Sequence, residues 1–282
     1  MLVGCGEWGF REMPMEQHFE ICRDFGFHWM EFGIGGGQRG RLAEEPSAEE
    51  MSEFCALGKQ YGIKTPFCCI ENDFTLKDVD QHQEMVEKVL AQIQSAAHCG
   101  ATHVRLFAGF TPIDQMSDES WGRMLEAFAR CDARCEQLGM QIAIETHGAI
   151  EFDSTGAAIH SHTASTHPDA LAKLLAGLPD RVGFNYDPGN LKPLAEGDSL
   201  LRLDLLDSRI NYCHLKDWRK SGAGWVACAI GDDDLDYGPI FERMSFSGVY
   251  LIEYEPLEDP RDGIQRSLDY LRKTVDQVEL EG

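Results

Sequence analysis

The residues best suited to chemistry sit in pairs near the ends of short apolar runs. Glu145 and His147 fall in IAIETHG at 142–148, and Asp187 follows FNY and leads into Pro188-Gly189-Asn190. His214 and Lys216 fall in YCHLKD at 212–217, and Glu253 and Glu255 in YLIEYEP at 250–256. Residues two apart on an extended strand point to the same side. Four successive runs therefore each supply one metal-competent group: Glu145, Asp187, His214 and Glu253. Three carboxylates and one imidazole form an oxygen-rich set that suits Mn²⁺ first, with Mg²⁺, Co²⁺ and Zn²⁺ as competitors. A strand-end glutamate taken alone is usually solvated, and a strand histidine taken alone is usually a hydrogen-bonded core group. Four such groups at corresponding strand ends are harder to explain by stability, because crowded carboxylates repel unless a cation compensates.

Other residues offer supporting roles. His147 reads as a second acid/base or as a group behind the metal ligands, and equally as a structural residue. Arg105 and Lys216 read as binders of substrate oxygens or a phosphate, or as ion-pair partners of the acidic site. Trp8 and Glu31 lie at the ends of the first two runs, where they would line a pocket. Asn190 can hydrogen-bond a substrate hydroxyl but cannot serve as a general base near neutral pH. His160, His162 and His167 lie in a Ser/Thr-rich stretch that reads as a loop, not a metal string. The run Gly35-Gly36-Gly37 reads as a mobile loop.

The elements that must position these groups repeat along the chain. Helical segments end in Gly26, Gly62, Gly100 and Gly139, at separations of 36, 38 and 39 residues, and an apolar run follows each. A glycine after the last helical turn suits the left-handed conformation that ends a helix. The apolar runs are 2–6, 27–34, 63–70, 102–109, 140–147, 181–187, 209–217 and 249–256, eight in all. They read as buried parallel strands. Between them, Val86, Val89, Leu90, Ile93 and Ala97 share one face of a helix over 79–98, and Trp121, Met124, Leu125, Phe128, Cys135 and Leu138 one face of a helix over 119–138. Ile264, Leu268, Leu271, Val275 and Val278 do the same for the last helix. Ser47 with Glu50 forms a capping-box pattern, and Pro168, Pro239 and Pro260 suit first helical turns. Eight strand–helix units match a (β/α)8 TIM barrel, which typically takes about 250 residues. A doubly wound sheet would show a glycine-rich turn after its first strand, and EWGFREMPMEQ has none. Residues 1–282 therefore read as a single TM-free barrel domain with catalysis at the carboxyl ends of its strands.

Composition narrows the function. The chain has 25 Lys and Arg against 48 Asp and Glu, a net charge of −23, which argues against nucleic acid and anionic membrane surfaces as partners. The ten cysteines include no Cys-x-x-Cys pair, and no secretory leader is visible, so they read as reduced residues of a cytoplasmic protein.

The strings IAIETHG, FNYDPGNL, YCHLKDWR and YLIEYEP resemble the sugar phosphate isomerase/epimerase family with the xylose isomerase-like TIM barrel. The resemblance runs along the whole chain in order and spacing, and HLKD and IEYE are its most specific parts. It implies a divalent metal on Glu145, Asp187, His214 and Glu253. In the epimerase branch the two metal-bound glutamates also move protons, which implies those roles for Glu145 and Glu253. The family often carries His where this chain has Asn190. Arg219 matches a family position that contacts substrate oxygens.

The implied chemistry is proton removal next to a ketone. A divalent cation on the carbonyl oxygen stabilises the enediolate, and a carboxylate on each side can take and return the proton. Return to the opposite face epimerises, return to the neighbouring carbon isomerises, and loss of a β-hydroxyl dehydrates. The expected function is a metal-dependent isomerase or epimerase of a keto-sugar or sugar derivative, forming a possible homo-oligomer by analogy. The alternatives are an inosose- or keto-sugar-type dehydratase or lyase, and a non-catalytic sugar-binding subunit. A DNA-repair endonuclease on the same fold would need more histidines on its middle strands than His103 supplies.

Overall fold

Gly26, Gly62, Gly100 and Gly139 all take positive φ, at 81, 69, 89 and 68°, and each turns the chain from a helix toward the next strand. A Cβ is disfavoured in that conformation, which is why glycine ends these helices. In this computed structural model, which describes residues 1–280, the strands that follow them are β2 to β5. The chain opens with β1 (Leu2–Cys5) and continues through β2 (Trp29–Ile34), β3 (Lys64–Ile70), β4 (His103–Phe107) and β5 (Gln141–Glu145). A hairpin of β6 (Ala149–Phe152) and β7 (Ala158–Ser161) precedes β8 (Gly183–Tyr186) and β9 (Ile210–Leu215). A second hairpin, β10 (Asp217–Ser221) and β11 (Gly224–Cys228), precedes β12 (Val249–Ile252).

Eight of these strands close into a barrel in the order β1-β12-β9-β8-β5-β4-β3-β2, all pairs parallel. This is the expected (β/α)8 TIM barrel. Its register sets the site: Glu145 lies beside Asn185, and His214 beside Leu251. The last residues of β5, β8, β9 and β12 therefore reach one level.

Helices surround the barrel. Val79–His98 and Asp118–Leu138 fall where the periodicity placed them. Ser47 Oγ accepts from Glu50 N at 3.1 Å, but the Glu50 carboxylate takes Ala43 N, so only half of the expected capping box forms. Pro168, Pro239 and Pro260 all stand in first turns. The last helix, Pro260–Thr274, stops short of Val275 and Val278, contrary to expectation. Val275 is extended, and the chain then lays Glu279 beside Leu2, where Val3 N donates to Glu279 O at 2.8 Å.

The main apolar core lies between barrel and helices, and a smaller cluster of Phe67, Ala143, Tyr212, Val249 and Leu251 fills the barrel beneath His214. All ten cysteines are unpaired, as expected. The two hairpins join through Trp225 and Ala158 into a four-stranded antiparallel sheet, in the order β10-β11-β7-β6. No strand was expected over 149–161, and the stretch around His160, His162 and His167 read as a loop overlaps β7 only at His160 and Ser161. Each hairpin pairs locally through strands of only four or five residues, and a single bridge, Trp225 with Ala158, joins the two, so no long alternating run marks the sheet in the sequence.

Candidate active site

His214 is placed from behind. Its Nε2 lies 2.6 Å from Glu31 Oε1, and the same oxygen accepts from Tyr212 Oη at 2.5 Å. Glu31 Oε2 accepts from Glu7 N at 2.9 Å. With Nε2 so held, Nδ1 faces the carboxylates, 3.4 Å from Glu253, 3.8 Å from Glu145 and 4.0 Å from Asp187. Asn185 Nδ2 also reaches Nδ1, at 3.0 Å. Asn190 ties two carboxylates together: its Nδ2 donates to Glu145 Oε1 at 2.9 Å and to Asp187 Oδ2 at 3.0 Å, and its backbone N to Asp187 Oδ1 at 3.0 Å. Gly189 permits this turn, because a Cβ there would lie 2.6 Å from the Lys216 carbonyl oxygen.

Two cations press on the cluster. Arg105 Nε lies 3.0 Å from Glu145 Oε2 and Arg105 Nη2 lies 3.5 Å from Glu71. Lys216 Nζ lies 2.5 Å from both Glu253 and Glu255, 3.2 Å from Asp187 and 3.9 Å from Glu145. Both cations thus form the ion pairs weighed as one reading of these residues.

The acids respond differently. Burial alone would raise Glu145, but Arg105 and then His214 and Lys216 outweigh it and hold it below the carboxylate range. Burial raises Asp187 to about 7 against the pull of Lys216, and Glu145 and Glu253 add to the rise. Burial also raises Glu253. Burial opposes a charged imidazole at His214, yet Glu253 and Glu31 raise it well above its ordinary value.

One donor atom from each of Glu145, Asp187, His214 and Glu253 lies within 4.8 Å of the others, and all four residues are buried. Three oxygens and one imidazole nitrogen at that spacing fit a divalent cation, and the hydrogen bond of Nε2 to a carboxylate is the usual support of a metal-bound histidine. Lys216 has Glu255 as a second partner outside that set.

The remaining expectations divide. Trp8, Arg105, His147 and Lys216 line one cavity with Glu145 and Glu253. His147 packs edge-on against Phe107 at 5.1 Å, with Nδ1 2.6 Å from Gly148 O, and burial lowers it. Glu31 does not line the cavity: it is fully buried beneath His214. Arg219 is exposed on β10, opposite Val226, and does not reach the carboxylates. The start of β10 is covered, with Asp217 and Trp218 buried, and the strand then runs into solvent from Arg219 onward. His160 packs on Trp218 at 5.0 Å and His162 on His167 at 5.2 Å, with no metal group among them within the described residues. Glu71, Glu7 and Arg41 were overlooked. Arg41 Nη1 lies 3.0 Å from Glu7 and 2.9 Å from Glu71. The strand-end rule that found Glu145 also points to Glu71 and Glu7, each just past its strand.

The sequence of residues 19–274 matches the family model described as xylose isomerase-like TIM barrel. The chain belongs to the xylose isomerase-like TIM barrel family. No curated protein matches this family member. Among solved structures it is similar to the IolI protein with a bound zinc atom, at TM-score 0.77 and 16% identity over 98% of this chain and 100% of that one. It is similar to the 3-keto-D-glucoside 4-epimerase YcjR of E. coli, at TM-score 0.72 and 13% identity over 96% and 98% of the chains. It is also similar to the probable 3-DHS dehydratase AsbF of Bacillus anthracis, at TM-score 0.72 and 14% identity over 96% and 99%. At these identities the likenesses establish the barrel of this family member. Among its described residues no helix is long and apolar enough to cross a membrane.

Proposed function

We propose that the chain is a divalent-metal-dependent isomerase or epimerase of a keto-sugar or sugar derivative, with Mn²⁺ as the preferred ion and Glu145 and Glu253 as proton-transfer groups. The observation that carries this reading is the convergence of Glu145, Asp187, His214 and Glu253, with donor atoms inside 4.8 Å. Such an ion, when bound, supplies positive charge for an oxygen that turns anionic as its neighbouring carbon loses a proton. The protein's own residues divide the proton work. Arg105 keeps Glu145 ionised, while burial raises Glu253 and makes it the stronger base of the two. Two carboxyl groups whose environments push them apart are a usual sign of base and acid. Asn190 fixes Glu145 and Asp187, and Glu31 fixes His214. The similarity to a sugar epimerase and a probable dehydratase agrees with this class. The unpaired cysteines suit the cytoplasm.

Solvent deuterium exchange tests the proposal. Protein loaded with Mn²⁺ in D₂O should exchange a carbon-bound hydrogen in one member of a panel of ketoses, keto-polyols and their phosphates, read by NMR. Equal exchange with and without metal would overturn it. One observation favours a dehydratase as second reading: the similarity to the probable 3-DHS dehydratase AsbF. Appearance of enone absorbance together with exchange selects that outcome.

A further inference from the structure

The cavity over the carboxylates has a volume near 670 Å³, within the range of roughly 300–1,000 Å³ that takes drug-sized ligands. Its two ends differ in chemistry. Arg105, Glu145, Lys216 and Glu253 form the polar end, and all four are buried. At the other end Ile150 and Phe152 come from β6, Trp225 from β11, and Leu257 from the segment after β12. Phe152 is 72% exposed and Leu257 66%, the two most exposed large hydrophobic side chains among the described residues. They come from segments a hundred residues apart, yet they border one cavity. Exposed apolar groups gathered at a pocket mark a binding surface. Trp218 also lines the cavity and is 5% exposed.

A free keto-sugar matches only the polar end, since it carries hydroxyl groups around its whole edge. We propose that the substrate is a keto-sugar joined through a glycosidic oxygen to an apolar aryl group. The sugar lies over the carboxylates, and the aryl group lies against Phe152 and Leu257. This rests on the sugar-enolising reading of the carboxylate site and adds the substrate class to it.

The test uses matched phenyl and methyl glycosides of 2-, 3- and 4-keto-D-glucose, with the Mn²⁺-loaded full chain. Binding is read by quenching of tryptophan fluorescence, and exchange in D₂O by NMR. The phenyl glycoside of at least one pair should bind about tenfold tighter than its methyl partner, as burial of an aromatic ring gives. Phe152→Ser and Leu257→Ser should each reduce that preference, and neither exposed position carries the fold. Equal binding within every pair, or no binding to any, overturns the proposal, as does a preference unchanged in both variants. A change of oligomeric state in Phe152→Ser with the preference intact also overturns it and assigns the apolar rim to a protein interface. Phenyl preference without exchange overturns the enolising reading and leaves the aryl site standing. Exchange without phenyl preference does the reverse.

Discussion

Around one side of the barrel mouth, Glu7, Arg41, Glu71 and Arg105 alternate in sign, each within 3.5 Å of the next. Around the other side, Glu145, Asp187, Glu253 and Glu255 gather about one ammonium, Lys216, and one imidazole, His214. The first set pairs two acids with two guanidinium groups. The second has four acids, and Arg105 is shared between the sets. Both are largely buried, so burial alone does not separate a supporting network from a reactive one. Glu7 itself is raised to about 7 by burial, although Arg41 pulls the other way. The difference is charge balance: a set short of cations has room for another.

The largest effect should come from the acid-rich side. Glu253→Gln should slow metal-dependent deuterium exchange by about 10³-fold, the scale of a lost acid–base group, with reduced bound Mn²⁺ and an unchanged far-UV spectrum. Full exchange with normal metal content would remove Glu253 from the site. On the balanced side, Arg41→Met leaves Glu7 and Glu71 without their shared partner, and urea unfolding should show a loss of about 3–5 kcal/mol. Its Mn²⁺ content after refolding should match the parent; a parallel loss of metal would show that the two sides are not independent.

Glu31→Gln tests the link between them. It keeps every proposed ligand but weakens the hold on His214 Nε2, so calorimetry should find Mn²⁺ bound about 10–100-fold more weakly. An unchanged affinity would make Glu31 a packing residue. The smallest effect concerns pH. Burial lowers His18, stacked on Phe10 at 3.8 Å, from 6.5 to about 3. The folded state keeps it neutral where the unfolded state binds a proton, so its contribution is complete above pH 6.5 and is lost as pH falls toward 3. In His18→Leu the slope of stability against pH below 6.5 should flatten by up to about 1.4 kcal/mol per pH unit. An identical slope in parent and variant would exclude His18 as its source.

Much of the site was legible one residue at a time. Glu145 and His214 end or nearly end strands whose apolar character is local, and two-residue spacing placed His147 and Lys216 on the same side as their neighbours. Arg219, expected from the family resemblance, is a different case: the chain leaves the barrel after Leu215 and enters β10, where Arg219 is exposed. Glu31 was assigned to the right strand but not to the right depth. Its contact with His214 joins residues 183 positions apart, and nothing local to either predicts it.

The sequence by itself determined the alternation of strands and helices, the glycine helix ends, and the rank of candidate ligands along four strands. Those features follow from short-range preferences: backbone conformation at glycine, helical periodicity and the burial of apolar runs. Only the tertiary structure decided which ring nitrogen of His214 faces the carboxylates, that Lys216 stands among them, and that two hairpins set an aromatic wall across the cavity. Those depend on barrel closure, which brings distant segments to one level and lets burial and Coulomb interactions sort acids that look alike in the chain.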